Sequence, residues 1–231
     1  GELESFGEEG LRSDELLAEE FLVGRELSVF AVSDGTRYAI LPACADHKKA
    51  GAGDGGPNTG GMGAVCPVPY AGSGVMGRIE REIVAPSFAG MASEGLSYRG
   101  VLFFGVMLTA EGPRLLEYNV RFGDPETQSL LPLLETDIGE LCASAAAGSL
   151  DSGGARFSEE IACGVVVAAP GYPGTYPKGL AARLPEAGTG EALLFHASTT
   201  RGADGTVRTG GGRCFTAVGV GRDWPEARER A

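Results

Sequence analysis

Apolar and polar positions alternate over Glu26–Ser33, with Leu27, Val29 and Ala31 on one side and Ser28, Phe30 and Val32 on the other. A period of two predicts a strand. Asp34-Gly35 is a turn signal, and Tyr38–Pro42 is expected to return as the partner strand. Leu16–Phe21 reads as a short strand carrying two carboxylates. Val101–Thr109 is a strongly apolar strand, turned by Glu111-Gly112-Pro113 and followed by a return over Arg114–Val120. Val75, Ile79 and Ile83 recur every four residues, so Gly74–Glu94 is expected to be an amphipathic helix kinked at Pro86. Leu130–Ala147 is mostly helical, broken early by Pro132. Residues 1–13, 50–63 and 121–129 read as loops.

Composition shifts to small, polar and Gly-rich over Gly148–Ser158, where a domain boundary is expected. Beyond it Ile161–Ala169, Glu191–Ala197 and Arg213–Val220 read as strands, and Pro225 opens a helix. The class is α/β, divided into a first domain over about 1–150 and a smaller one over about 155–231.

The net charge of −12 argues against a general nucleic-acid binder, which needs a basic face. It leaves room for a local basic pocket. The only lysines are Lys48, Lys49 and Lys178. The five cysteines have no Cys-x-x-Cys spacing and read as reduced thiols of a cytoplasmic protein. With two histidines, no zinc spacing arises. No apolar run reaches the roughly 18 residues of a membrane span, and the acidic N-terminus is no signal peptide.

Three stretches carry candidate chemistry. In Leu115–Arg121, strand alternation puts Glu117, Asn119 and Arg121 on one face and Leu116, Tyr118 and Val120 on the other. A carboxylate and an amide oxygen roughly 7 Å apart along a strand suit Mg²⁺, and Arg121 beside them suits a phosphate oxygen. A solvated polar strand face is the plainer alternative. Asp124 and Glu126 in the next loop suit an amine, or belong to an ordinary Asp-Pro turn before a capped helix. The second stretch joins Asp46, His47 and Lys48 to the Gly-rich loop of Asn58, Thr59, Gly60, Gly61, Met62 and Gly63. Its glycines would let backbone N–H groups converge on a phosphate ester; the alternative is a flexible surface loop. The third is Glu19, Glu20, Phe21 and Leu22 followed by Glu26. A strand end of this kind can read an adenine edge, with a carboxylate a few residues on for ribose hydroxyls, or it is an acidic hinge. There is no Walker A loop, and the G-x-G-x-x-G at Gly51, Gly53 and Gly56 runs into Pro57 rather than a helix. His196, on an apolar strand, reads as structural.

Taken in order, these strings are similar to the phosphoribosylamine–glycine ligase (glycinamide ribonucleotide synthetase) family of the ATP-grasp superfamily. The resemblance is carried by Glu19–Leu22 with Gly24 and Glu26, by Asp46–Lys48, by Gly56–Ala64 and above all by Leu116–Gln128. Gly171–Gly174 with Tyr176, Lys178 and Gly179 continues it, as do Phe195–Ala197 and Gly211–Arg213. It implies an incomplete ATP-grasp lobe followed by a small mixed domain. It further implies ATP-dependent joining of glycine to 5-phosphoribosylamine through an acyl phosphate, with Mg²⁺ or Mn²⁺. By that resemblance Glu117 and Asn119 are the metal ligands, Glu19–Leu22 the adenine hinge and Glu26 the ribose acid. Arg121, Asp124 and Glu126 fall at the catalytic loop, and Asp46–Lys48 with Asn58–Gly63 on the substrate side.

The partners implied are small molecules, with no nucleic acid and no membrane, and the intact protein is expected to be a monomer. Lys49, Pro170 and Ser198 depart from the family pattern. The resemblance also implies that a first domain and the lobe covering the ATP phosphates precede residue 1, and that the chain stops within a helix. Another ATP-grasp carboxylate–amine ligase, or a non-catalytic assembly fragment, are the rival readings; the Asn58–Gly63 loop speaks against the former.

Overall fold

The computed structural model describes residues 18–151, 153–185 and 192–231. The loop expected over 1–13, Leu16 and Leu17 of an expected strand, and Glu191 of another lie outside these. From Gly24 the chain forms β1 (Gly24–Asp34), β2 (Tyr38–Ile40), β3 (Ala45–Asp46), a small hairpin of β4 (Lys49–Gly51) and β5 (Gly55–Asn58), and β6 (Gly63–Cys66). Helix α1 (Ser73–Ile79) passes through a π turn (Glu80–Val84) into α2 (Ala85–Ser93). Then come β7 (Arg99–Thr109), β8 (Pro113–Asn119), α3 (Glu126–Leu130) and α4 (Ile138–Ala147). The rest is β9 (Ile161–Ala168), β10 (Ala181–Ala182), β11 (Leu193–His196), β12 (Thr199–Arg201), β13 (Val207–Thr209), β14 (Arg213–Gly221) and α5 (Trp224–Arg230).

The first sheet, β2-β1-β7-β8, is antiparallel throughout. Leu27, Val29 and Ala31 of β1 pack with Phe104 and Val106 of β7 against Ile79, Ile83 and Val84. Phe30, Val32 and Phe103 face the other way, against Leu130, Leu133 and Leu141. Both faces of β1 are therefore covered, which is why its apolar residues run almost without interruption. The Pro86 kink takes the form of the π turn immediately before it: proline supplies no N–H to the preceding turn, and the helix widens there.

Three expectations are corrected. Ala18–Phe21 form no strand; regular structure begins at Gly24, and Phe21 is 90 % exposed. Residues 50–63 and 121–129 are not wholly loop, since β4 and β5 pair, β6 begins at Gly63 and α3 begins at Glu126. In β8, Val106 pairs with Leu115 and Gly105 with Glu117, so Leu116 is a bulge. Leu115 thereby packs in the core in place of Leu116, Tyr118 keeps its inward side against Phe104 (ring centroids 5.5 Å), and Val120 is left exposed.

The second sheet, β11-β14-β9-β6-β3, takes two strands from before the composition shift and three from after it. Cys66, Leu150, Ala162 and Val218 share one hydrophobic cluster with Phe30. No described helix is long and apolar enough to cross a membrane.

Buried Asp34 fastens the end of β1. Its carboxylate accepts from the backbone of Thr36 (2.9 Å), Arg37 (2.7 Å) and Leu150 (3.0 Å) and from Arg37 Nε (3.1 Å). The backbone N–H groups of Arg37 and Thr36 lead in holding its pKa well below the usual carboxylate range. A lowered folded pKa gives stability that is present above the unfolded value of about 3.9 and is lost as pH falls through the folded value. Asp34→Asn is expected to lower Tm by about 5 °C at pH 7. The gap to the parent should narrow below about pH 4, as thermal melts across pH would show.

Candidate active site

The bulge at Leu116 aims the end of β8. It places Glu117 opposite Gly105, where a Cβ would come 3.0 Å from Glu117 Cγ. Glu117 and Asn119 lie side by side, Asn119 Nδ2 donating to Glu117 Oε1 at 3.2 Å. Arg121 Nη2 lies 3.5 Å from Asn119 Oδ1, and its Nη1 donates to the Phe122 carbonyl at 2.9 Å.

The loop after β8 turns back over β1. Glu126, the first residue of α3, is 4 % exposed, and its Oε1 accepts from the Ser28 hydroxyl at 2.7 Å. A Cβ at Gly123 would lie 2.6 Å from Glu126 Cδ, so the loop can approach only because that side chain is missing. Asp124 Oδ1 accepts from Gln128 Nε2 at 3.0 Å, and its backbone carbonyl accepts from Arg213 Nη1 at 2.8 Å.

β3 and the following loop close the other side. Asp46, Lys48, Thr59 and Gly60 share with Glu117, Asn119 and Glu126 a cavity of about 130 Å³. Asp46 Oδ1 is buried there with no hydrogen-bond partner among the described residues. Burial, then the Glu126 charge, push its pKa up to about 7, against the pull of Lys48 and Arg213. Burial opposes the Lys48 ammonium, but an ion pair with Glu26 outweighs it and raises the Lys48 pKa. Glu26, His47, Lys48 and Asn58 also border a larger cavity of about 750 Å³.

The Gly-rich loop is not the open anion cradle that its composition suggested. Gly60 N–H donates to Tyr172 Oη (3.0 Å), Gly61 N–H to Thr59 Oγ1 (3.0 Å) and Met62 N–H to the His47 carbonyl (2.8 Å). These donors are used within the protein. Gly61 is required for another reason. Its φ is +110°, and a Cβ would press on the Pro125 ring and come 2.6 Å from Asp46 Oδ1.

The structure thus brings together Asp46, Lys48, Thr59, Gly60, Glu117, Asn119, Arg121, Asp124 and Glu126. Glu19, Glu20, Phe21 and Leu22 border neither cavity; they precede β1 outside regular structure. Tyr172 and Arg213, which reach the site from the far part of the chain, were given no role on sequence; their place in the Gly171–Gly174 and Gly211–Arg213 strings was the available signal. His196 is held as expected, with Nδ1 2.8 Å from Thr199 Oγ1 and its ring on Phe215.

This fold and site define an ATP-grasp protein. Residues 3–127 match the family Phosphoribosylglycinamide synthetase, ATP-grasp (A) domain, and residues 162–231 match Phosphoribosylglycinamide synthetase, C domain. The chain belongs to the phosphoribosylglycinamide synthetase family. It is 44 % identical over 223 residues to the phosphoribosylamine–glycine ligase of Agrobacterium fabrum, covering 96 % of this chain and 52 % of that protein. The crystal structure of phosphoribosylamine–glycine ligase from Thermotoga maritima superposes with a TM-score of 0.82 at 39 % identity, over 92 % of this chain and 52 % of that one. Biotin carboxylase from Campylobacter jejuni shares the fold alone, with a TM-score of 0.66 at 14 % identity over 90 % of this chain and 44 % of that one. The chain spans about half the length of the ligases it matches.

The raised Asp46 pKa sets a pH signature. The native state keeps a proton on Asp46 between roughly pH 4 and 7 that the unfolded chain has lost, so stability falls as pH rises through that window. Asp46→Asn carries no such charge. Its Tm relative to the parent is expected to rise by about 3 °C between pH 4 and pH 8. Parallel melts would show it, and an unchanging difference would place Asp46 in the ionised state throughout.

Proposed function

We propose that the protein carrying this chain is an ATP-dependent ligase that joins glycine to 5-phosphoribosylamine. The observation behind this reading is the convergence of the β8 pair, the Asp124–Glu126 loop and the Asp46–Gly60 segment on one cavity. In the reaction, a glycine carboxylate oxygen attacks the γ-phosphorus of ATP and ADP leaves. The phosphoribosylamine nitrogen then attacks the acyl carbon, phosphate leaves, and the amine gives up a proton. ADP, phosphate and glycinamide ribonucleotide result.

Glu117 and Asn119 offer the hard oxygen donors Mg²⁺ or Mn²⁺ prefers. An ion held by these two would be completed by phosphates and water. Bound there, the metal would neutralise charge on the transferring phosphoryl group. Arg121, beside the pair, is placed for a phosphate oxygen. Asp46 Oδ1, buried and unpartnered, would be satisfied by an amine N–H, with Asp124 and Glu126 adding negative charge around it. Glu26 is assigned to the ribose hydroxyls, which requires it to exchange or share Lys48. Glu19–Leu22, lying before β1 outside regular structure, are assigned to the adenine edge. His47 and the Asn58–Gly63 loop are assigned to the substrate side. The same reading takes 1–150 as the nucleotide-binding portion and 155–231 as a smaller domain of a monomeric, cytoplasmic protein.

Glu117→Ala should retain the fold by circular dichroism while lowering kcat about 100-fold or more at saturating Mg-ATP. The assay is ADP release that depends on both glycine and phosphoribosylamine. Activity near the parent's would remove Glu117 from the site. ADP release that does not need phosphoribosylamine would point to a different amine acceptor.

A further inference from the structure

Beside the acidic cavity, apart from the 750 Å³ one, lies another of about 550 Å³, and Asp124 borders both it and the acidic cavity. Its cation is Arg213, the first residue of β14. Among the described residues, the Arg213 side chain makes one hydrogen bond, from Nη1 to the Asp124 carbonyl. Nη2 stands 3.5 Å from Asp124 Oδ2, a loose ion pair that leaves most of the fork's donors unspent. The guanidinium lies against Gly60, where a Cβ would come 3.2 Å from Cζ, so the Gly-rich loop holds it in place without covering its edge.

The walls supply further donors. The Ser198 and Tyr176 hydroxyls have no hydrogen-bond partner among the described residues, and neither do the N–H groups of Gly211 and Gly212. Ser198 and the Tyr172 ring pack so closely on those two glycines that no side chain fits at either. A fixed guanidinium with hydroxyl and backbone N–H donors is the chemistry that takes an oxyanion, and a phosphate monoester above all.

We propose that the Arg213 cavity holds the 5-phosphate of the amine substrate while the amine reaches into the adjoining acidic cavity. This rests on the ligase reading above and adds to it the residue that selects a phosphorylated acceptor. The charge pattern fits a substrate with an amine at one end and a phosphate at the other. The acids Asp46 and Glu126 lie on one side of Asp124 and the cation Arg213 on the other.

In the protein carrying this chain, Arg213→Met is expected to raise the KM for phosphoribosylamine about 50-fold and to leave that for ATP within about twofold. Arg213→Lys, which keeps the charge and loses the fork, should fall between. Ser198→Asp leaves Arg213 and Asp124 intact and puts a carboxylate on the wall; it should give the same split, which covers the case in which Arg213→Met fails to fold. Equal rises for all substrates, or a rise for ATP alone, would overturn the proposal and assign Arg213 to the scaffold or to the nucleotide. A calorimetric arm uses ribose 5-phosphate, with ribose as the control, and needs no turnover. Arg213-dependent binding of ribose 5-phosphate by a protein that makes no amide would keep the cavity and discard the ligase reading. Amide formation together with ribose 5-phosphate binding indifferent to Arg213 would do the reverse. A protein that neither makes amide nor binds ribose 5-phosphate would remove both.

Discussion

The site depends on one carboxylate taken out of water. Glu126 is 4 % exposed and takes a hydrogen bond from Ser28, which is itself 5 % exposed. Burying a carboxylate costs far more than one such bond returns, so its surroundings have to be rigid. Ser28 is fixed by reciprocal backbone bonds with Cys44, its N–H to the Cys44 carbonyl at 2.8 Å and the Cys44 N–H to its own carbonyl at 2.9 Å. The same residue therefore ties the central strand of the first sheet, the segment leading into β3, and the loop after β8. Gly123 and Gly61 let the chain close around that point, one against Glu126 and the other against Asp46.

Burial raises the Asp46 pKa first of all, and packing a second carboxylate, Glu126, nearby raises it further. Asp46 Oδ1 has no partner to offset the cost. Natural chains tolerate such conflicts mainly where function demands them. Here two cations flank the conflict without removing it. Lys48 is drawn off by Glu26, and Arg213 is turned to the Asp124 backbone. Within the acid cluster Glu126 takes the Ser28 hydroxyl and Asp124 the Gln128 amide, and Asp46 Oδ1 is the acceptor with capacity to spare for a donor.

The long elements were legible because their burial is simple. β1, β7, β9 and β14 are eight or more residues long, largely apolar, and sit inside sheets, and the expected strand limits fall within a few residues of theirs. The placement of Glu117 and Asn119 side by side at the end of β8 was legible too, since alternation aims the two together. The bulge at Leu116 was not, because nothing in a run of leucines marks which one leaves the ladder. β3–β6 are two to four residues each, too short to show a period, and β6, to which β3 pairs, takes its place in the sheet from β9, a hundred residues on. The meeting of Asp46 with Glu126 is likewise a product of topology, not of spacing. Glycines suggested an anion cradle at Gly60–Gly63, but a glycine run cannot say which N–H groups the fold will consume. Here Tyr172, Thr59 and His47 take them.

A net charge of −12 makes long-range attraction of phosphates unfavourable, yet that field is screened beyond about 8 Å at physiological salt. Capture of an anion is thus decided by cations in contact range. Of the 19 basic residues only three are lysines, and Lys48 and Lys49 sit together on the rim of the 750 Å³ cavity. Arg25 borders the same cavity, held over the Tyr70 ring at 4.7 Å from its centroid. Arg213 stands apart from these, across the acid cluster. Two cationic stations separated by carboxylates cannot both serve a single compact phosphate. They border two separate cavities, each sharing lining residues with the one where Asp46, Asp124 and Glu126 meet.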